Sequence, residues 1–153
     1  MDTVDRKILA LLQEDAALSI EKIAAKVHLS STPCWKRIRR LEKDGVIQKR
    51  VALLDAEKVG AGVTVFVAIK TNQHNREWLD HFANSVEDMP EILDFYRMSG
   101  EIDYLLRVVV SDIVAFDAFY QRLISRVPLS DVTSSFAMEK IKHTTALPIT
   151  TTE

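Results

Sequence analysis

Residues 30–45 read SSTPCWKRIRRLEKDG, two serines, a threonine and a proline ahead of a tryptophan set among closely spaced cations. Hydroxyls near the start of a helix bind phosphate or base edges; lysine suits phosphate, and arginine suits phosphate or guanine. A tryptophan beside them can pack on sugar or a thymine methyl. On a helix, Cys34, Ile38 and Leu41 form one apolar stripe. Ser31, Thr32, Trp35, Lys36 and Arg39 then point outward, with Arg37 and Arg40 on the flanks. The chemistry is that of a duplex DNA ligand, although a charge run alone is equally a solvated helix face. Cys34 has two readings as well. A thiol at a helix N-terminus can be acidified, but this one takes a place in the apolar stripe and reads as a small buried hydrophobe.

A second constellation lies in RMSGEIDYLLRV. A glycine-bearing turn presents Glu101 and Asp103 close together, with hydroxyls at Ser99 and Tyr104. The later segment DVTSSF adds Thr133, Ser134 and Ser135. Carboxylates bind ammonium, while hydroxyls and turn N–H groups bind carboxylate, so a free amino acid suits such a set. Turn chemistry alone is the competing account, with Gly100 supplying the unusual φ and Asp103 bonding to the backbone.

Other chemistries find little. His28, His74, His81 and His143 lack metal-ligand spacing, and no phosphate-binding glycine loop or nucleophile elbow occurs. No cofactor is expected. Glu101 and Asp103 could do acid/base work in a small enzyme, but no nucleophile or pocket signature accompanies them. A sequence-indifferent architectural DNA protein is the other alternative.

The elements that must position these residues follow from periodicity. Val4, Ile8, Leu11 and Leu12 mark a first helix, and Ile20, Ile23, Ala24 and Val27 a second, capped by Ser19. A tight turn leads to a third helix, Thr32 to Lys43, with Ser31 or Thr32 as cap, Pro33 in its first turn and Gly45 ending it. The three make a helix-turn-helix over residues 1–50. VIQKRVALLD predicts a small hairpin, which would make the unit winged, and residues 51–62 read as hairpin and linker. From residue 63 the period falls to two in VTVFVAIKT. The segments to residue 143 then order as β-α-β-β-α-β, a ferredoxin-like arrangement, leaving 144–153 as a tail. The fold class is α+β.

Both helices of that arrangement cover one face of the sheet, and the other should be polar in a monomer. Instead Tyr104, Leu105, Leu106, Val108, Val109 and Val110 are apolar on both sides of their strand, and Phe66 and Ala68 add to the second face. A second copy is the simplest cover, so a homodimer is expected. The first and third strands are central and the last pairs with the first. The Gly100 turn and the last strand therefore meet only across a contact between subunits.

Composition agrees with these readings. The 153 residues are 47% hydrophobic and 27% charged, as in soluble globular chains. Residues 1–50 carry eleven Lys/Arg against seven Asp/Glu, and the remainder nine against fifteen. A basic first third ahead of an acidic remainder points to a polyanion met by the first part alone. Cys34 is the single cysteine, excluding an internal disulfide. No apolar run approaches the ~18 residues of a membrane span and no secretory leader is evident, so a cytoplasmic chain is expected.

Together DRKILALLQEDAALSIEKIAAKVHLSSTPCWKRIRRLEKDGVI, SGEIDYLLRV and DVTSSFAMEKIK resemble the Lrp/AsnC, or feast/famine, family of transcription regulators. The resemblance implies a helix-turn-helix, a linker strand, and a sensing domain that dimerises through its sheet. It also implies further assembly into octamers or other rings, with amino-acid effectors between sensing domains of neighbouring dimers. Carried over by position, the effector loop is Met98 to Tyr104, including Ser99 and centred on Gly100, Glu101 and Asp103, with Ser134 and Ser135 contributing from the last strand.

Overall fold

A computed structural model describes residues 1–150 of the chain. They divide into two compact units: Met1–Leu53 together with the chain from Ile141 onward, and Leu54–Lys140.

The first unit holds α1 (Thr3–Glu14), α2 (Ile20–Lys26) and α3 (Ser31–Lys43). Asp2 caps α1 in a reciprocal capping box with Asp5. Ile8, Ile23, Ala24, Val27, Cys34 and Ile38 interlock as the core, with Ile47 packed against it. The turn from α2 to α3 is a Schellman motif. The N–H of Leu29 donates to Ala24 and that of His28 to Ala25, with His28 left-handed at φ 57°. Gly45 does the same for α3 at φ 72°, as Val46 donates back to Leu41. The helix begins one residue earlier than expected: Ser30 takes the cap position, without a side-chain capping bond, and Pro33 still lies in the first turn.

The expected hairpin after α3 does not form. Residues 46–62 contain no strand, and Val51, Leu53 and Leu54 stand exposed at 59%, 69% and 72%. Two short runs without a third strand bury too little apolar surface to hold a ladder. Asp55 instead caps a turn by accepting from the N–H groups of Glu57 and Lys58. Leu147 in the tail is tied to α1: Gln13 donates to its carbonyl and accepts from its N–H.

The second unit contains β1 (Val63–Lys70), α4 (Arg76–Val86), β2 (Ile92–Arg97), β3 (Tyr104–Val110), α5 (Ile113–Arg126) and β4 (Asp131–Phe136). The sheet order is β2-β3-β1-β4, antiparallel throughout, which is the ferredoxin-like topology expected. Val65, Val67 and Ile69 alternate inward with Leu106 and Val108 against Trp78, Phe82, Phe119 and Leu123 from the two helices. β4 ends at Phe136, and Met138 and Ile141 beyond it are almost fully exposed.

The opposite sheet face carries Phe66, Ala68, Leu105, Val109 and Tyr96, placed together by the pairings Phe66↔Arg107, Ala68↔Leu105 and Tyr96↔Leu105. A bulge between Ile92 and Asp94 turns Asp94 onto this face, where it pairs with Arg107. Phe66 is 39% and Tyr96 52% exposed.

Candidate nucleic-acid interface and effector loop

The burial of α3 follows its sequence stripe. Cys34, Ile38 and Leu41 are at most 2% exposed. Ser31, Thr32, Trp35, Lys36 and Arg39 are exposed along the opposite side, as their spacing required. Burial raises the Cys34 thiol pKa, with nearby Arg37 only partly opposing it, so this cysteine is packing rather than a nucleophile. The Arg39 guanidinium lies 6.0 Å from the Trp35 ring centroid and donates to Glu42 at 3.0 Å. Glu42 also accepts from Arg50 at 3.1 Å, so the stretch after α3 is fastened to the helix. Arg39 keeps 65% of its side chain exposed.

On the flanks, Arg37 is half-buried and Arg40 exposed, and both are paired with α1. Nη1 of Arg37 donates to Asp2 at 2.6 Å and to Asp5 at 2.8 Å, while Nη2 of Arg40 donates to Asp5 at 2.6 Å. Asp5 is 1% exposed and also accepts from the Asp2 backbone N–H. Residue-type reading missed this network because its two halves lie more than thirty positions apart. The signal available was a D-x-x-D capping box at the start of a helix and two arginines three apart on another.

In the second unit Gly100 takes φ 125°, a conformation that side-chain-bearing residues avoid. The loop is closed by the Met98 N–H donating to the Asp103 carbonyl at 2.8 Å. The Asp103 N–H donates to the Ile69 carbonyl, and its carboxylate accepts from the Thr71 N–H at 2.8 Å, with His74 Nδ1 3.6 Å away. Asp103 is thus occupied in fastening the loop to the end of β1. Glu101 is 90% exposed and lies 3.4 Å from Lys70 Nζ. Met98 is 38% exposed and Ser99 is exposed.

Two of the expected loop and strand contributors are turned elsewhere. Tyr104 is 5% exposed and stacks among Trp78, Phe82 and Phe95, on the helix side of the sheet. Ser134 pairs opposite the buried Val67 and Ser135 opposite the exposed Phe66. Neighbouring strand residues face opposite ways, so the two serines do not serve one site together. Lys70, Thr71 and His74 complete the loop's surroundings, and the sequence pattern did not assign them to it.

Residues 1–48 match the family model described as winged helix-turn-helix DNA-binding, and residues 64–147 that of the Lrp/AsnC ligand binding domain. The chain is 58% identical to the DNA-binding transcriptional activator DecR of Escherichia coli K12, over 97% of this chain and 99% of that one. It is 49% identical to the glutamate uptake regulatory protein of Zymomonas mobilis, over 97% and 91%. The fold superposes on an AsnC family transcriptional regulator from Agrobacterium tumefaciens at TM-score 0.94, with 59% identity and 97% of each chain covered. A Neisseria meningitidis transcriptional regulator solved as a complex with L-Met superposes at 0.91, with 37% identity over 97% and 96%. With a basic helix-turn-helix joined to a ferredoxin-like ligand-binding unit, the chain belongs to the Lrp/AsnC family of DNA-binding transcriptional regulators.

Proposed function

We propose that the chain reads duplex DNA through the exposed side of α3, and that a free amino acid bound at the 98–103 loop alters this by changing the assembly. The observation that carries the first part is the row Ser31, Thr32, Trp35, Lys36 and Arg39, opposite a fully buried stripe on the second helix of a helix-turn-helix. Arg39 reads a base edge and Lys36 meets phosphate. The L-Met complex of the Neisseria relative and the glutamate-related name of the Zymomonas one support an amino-acid effector.

The exposed Glu101 and the backbone around Gly100 form the ligand-facing part, with Asp103 as the fastening and Ser135 of another subunit as a contributor. A second copy covers the Phe66, Leu105 and Tyr96 face, and dimers assemble further, to an octamer in this reading. The chain acts in the cytoplasm as a regulator and not as an enzyme; no helix among the described residues is long and apolar enough to cross a membrane.

Thermal unfolding with each of the twenty amino acids tests the effector. A ligand at 100 times its Kd adds ~2.7 kcal/mol of stability. One hit that is lost in Glu101→Gln supports the site, and a flat panel overturns it. Selection from a randomised duplex pool tests the DNA part: the winning sequence should bind at least ~10³ times more tightly than random DNA.

A further inference from the structure

Asp5 is the only charged side chain buried among the described residues, and both of its cationic partners come from the flanks of α3. Burying a carboxylate is costly, and an apolar replacement of such a network is often no less stable, so stability is a weak reason for its presence. Its position suggests another. Asp2 and Asp5 balance the charge of Arg37 and Arg40 beside the exposed row of α3, while Arg39 pairs with Glu42 on its own helix, at the surface.

We propose that Asp2 and Asp5 are specificity-determining residues, withholding Arg37 and Arg40 from phosphate so that α3 meets DNA mainly through its outward row. Affinity for random DNA comes from phosphate neutralisation and counterion release, with a salt slope of about 0.9 for each phosphate contacted. An arginine held by the buried Asp5 carboxylate adds little to that affinity, whereas the surface Arg39–Glu42 pair contributes little and is readily exchanged for DNA. Contacts to base edges from Arg39 are untouched, so the ratio of specific to non-specific binding rises. The capping box keeps the clamp in register: the Asp2 carboxylate accepts from the Asp5 N–H at 2.8 Å and the Asp5 carboxylate from the Asp2 N–H at 3.0 Å.

The inference rests on α3 being the helix that meets DNA, so Arg39→Ala is measured alongside. The full-length chain, as Asp2→Asn and Asp5→Asn, is titrated with salt against a random-sequence duplex and against a duplex selected by the wild type. Release of one arginine should enlarge the affinity loss between 50 and 200 mM salt by about 3.5-fold for random DNA. The specificity ratio should fall with it. Adding Arg40→Gln to Asp5→Asn should return the slope to that of the wild type. An unchanged or shallower slope in an Asp5→Asn that keeps its helical circular dichroism overturns the clamp; Asp2→Asn, in which Asp5 still holds both arginines, should change the slope less. If Asp5→Asn does not fold, Arg40→Gln in the otherwise wild-type chain decides: a slope equal to that of the wild type supports the clamp, and one shallower by about 0.9 shows Arg40 on phosphate and overturns it. Arg39→Ala binding both duplexes like the wild type removes the α3 reading itself; weakened Arg39→Ala with unchanged Asp variants removes only the clamp.

Discussion

The carboxylate of Asp103 accepts a hydrogen bond from the Thr71 backbone N–H at 2.8 Å, tying the β2–β3 loop to the residue just after β1. Thr71 is buried, so its N–H has no easy replacement partner in water. Asp103→Ala should lower stability by about 1–3 kcal/mol with no ligand present, read from urea unfolding. A substitution here therefore perturbs the loop before any effector is considered. Glu101 is the cleaner probe of binding, because Glu101→Gln should leave unfolding unchanged.

On α3 the two cations of the outward row should separate by role. Arg39→Ala should weaken a selected duplex by about 1–3 kcal/mol and change the preferred sequence. Lys36→Ala should weaken all duplexes alike and reduce the salt slope by about 0.9. Equal behaviour of the two variants on selected and random DNA would contradict the division.

His28 adopts φ 57° at the position of the Schellman turn that glycine usually fills. His28→Gly relieves the left-handed cost, against glycine's greater loss of freedom on folding, and should raise stability by about 0.5–1 kcal/mol. The measurement is the thermal midpoint. A lowered midpoint would mean that the imidazole contributes a contact outweighing its backbone strain.

The Asp2 carboxyl is held at about 2, first by the Asp5 backbone N–H and then by Arg37. A carboxyl depressed in the folded state stabilises it above the ordinary value near 3.8, and that stabilisation is lost as pH falls towards 2. Asp2→Asn should therefore lose less stability than the wild type between pH 4 and pH 2.5, followed by thermal unfolding. Asp88 and Asp112, also depressed, keep their share in both proteins.

Phe66 stands in the middle of the open sheet face, opposite Arg107 on β3 and Ser135 on β4. Phe66→Lys should leave the fold intact and, if the proposed second copy covers this face, produce a monomer in sedimentation, because a cation set opposite Arg107 is repelled and desolvated there. A variant that sediments like the wild type would move the subunit contact elsewhere.

Much of this molecule is written locally. The stripes Ile8–Leu11–Leu12, Ile23–Ala24–Val27 and Cys34–Ile38–Leu41 repeat at helical spacing, and Val65–Val67–Ile69 at strand spacing, so elements and inward faces could be read directly. The outward row of α3 and the Gly100 turn came with them, since each depends on neighbours within one turn or loop. Even the divergence of Ser134 and Ser135 was implicit in the period of two. What depended on tertiary structure was every pairing between distant segments. Arg37 and Arg40 look like free flanks until α1 brings Asp2 and Asp5 against them. Asp103 looks like a ligand group until Thr71 claims it, and Tyr104 like a loop hydroxyl until Trp78 and Phe82 enclose its ring. The hairpin after α3 failed for the same reason in reverse. Its residues have the right local preference, but no third strand to pair with, and a ladder is stabilised by neighbours rather than by the strand itself.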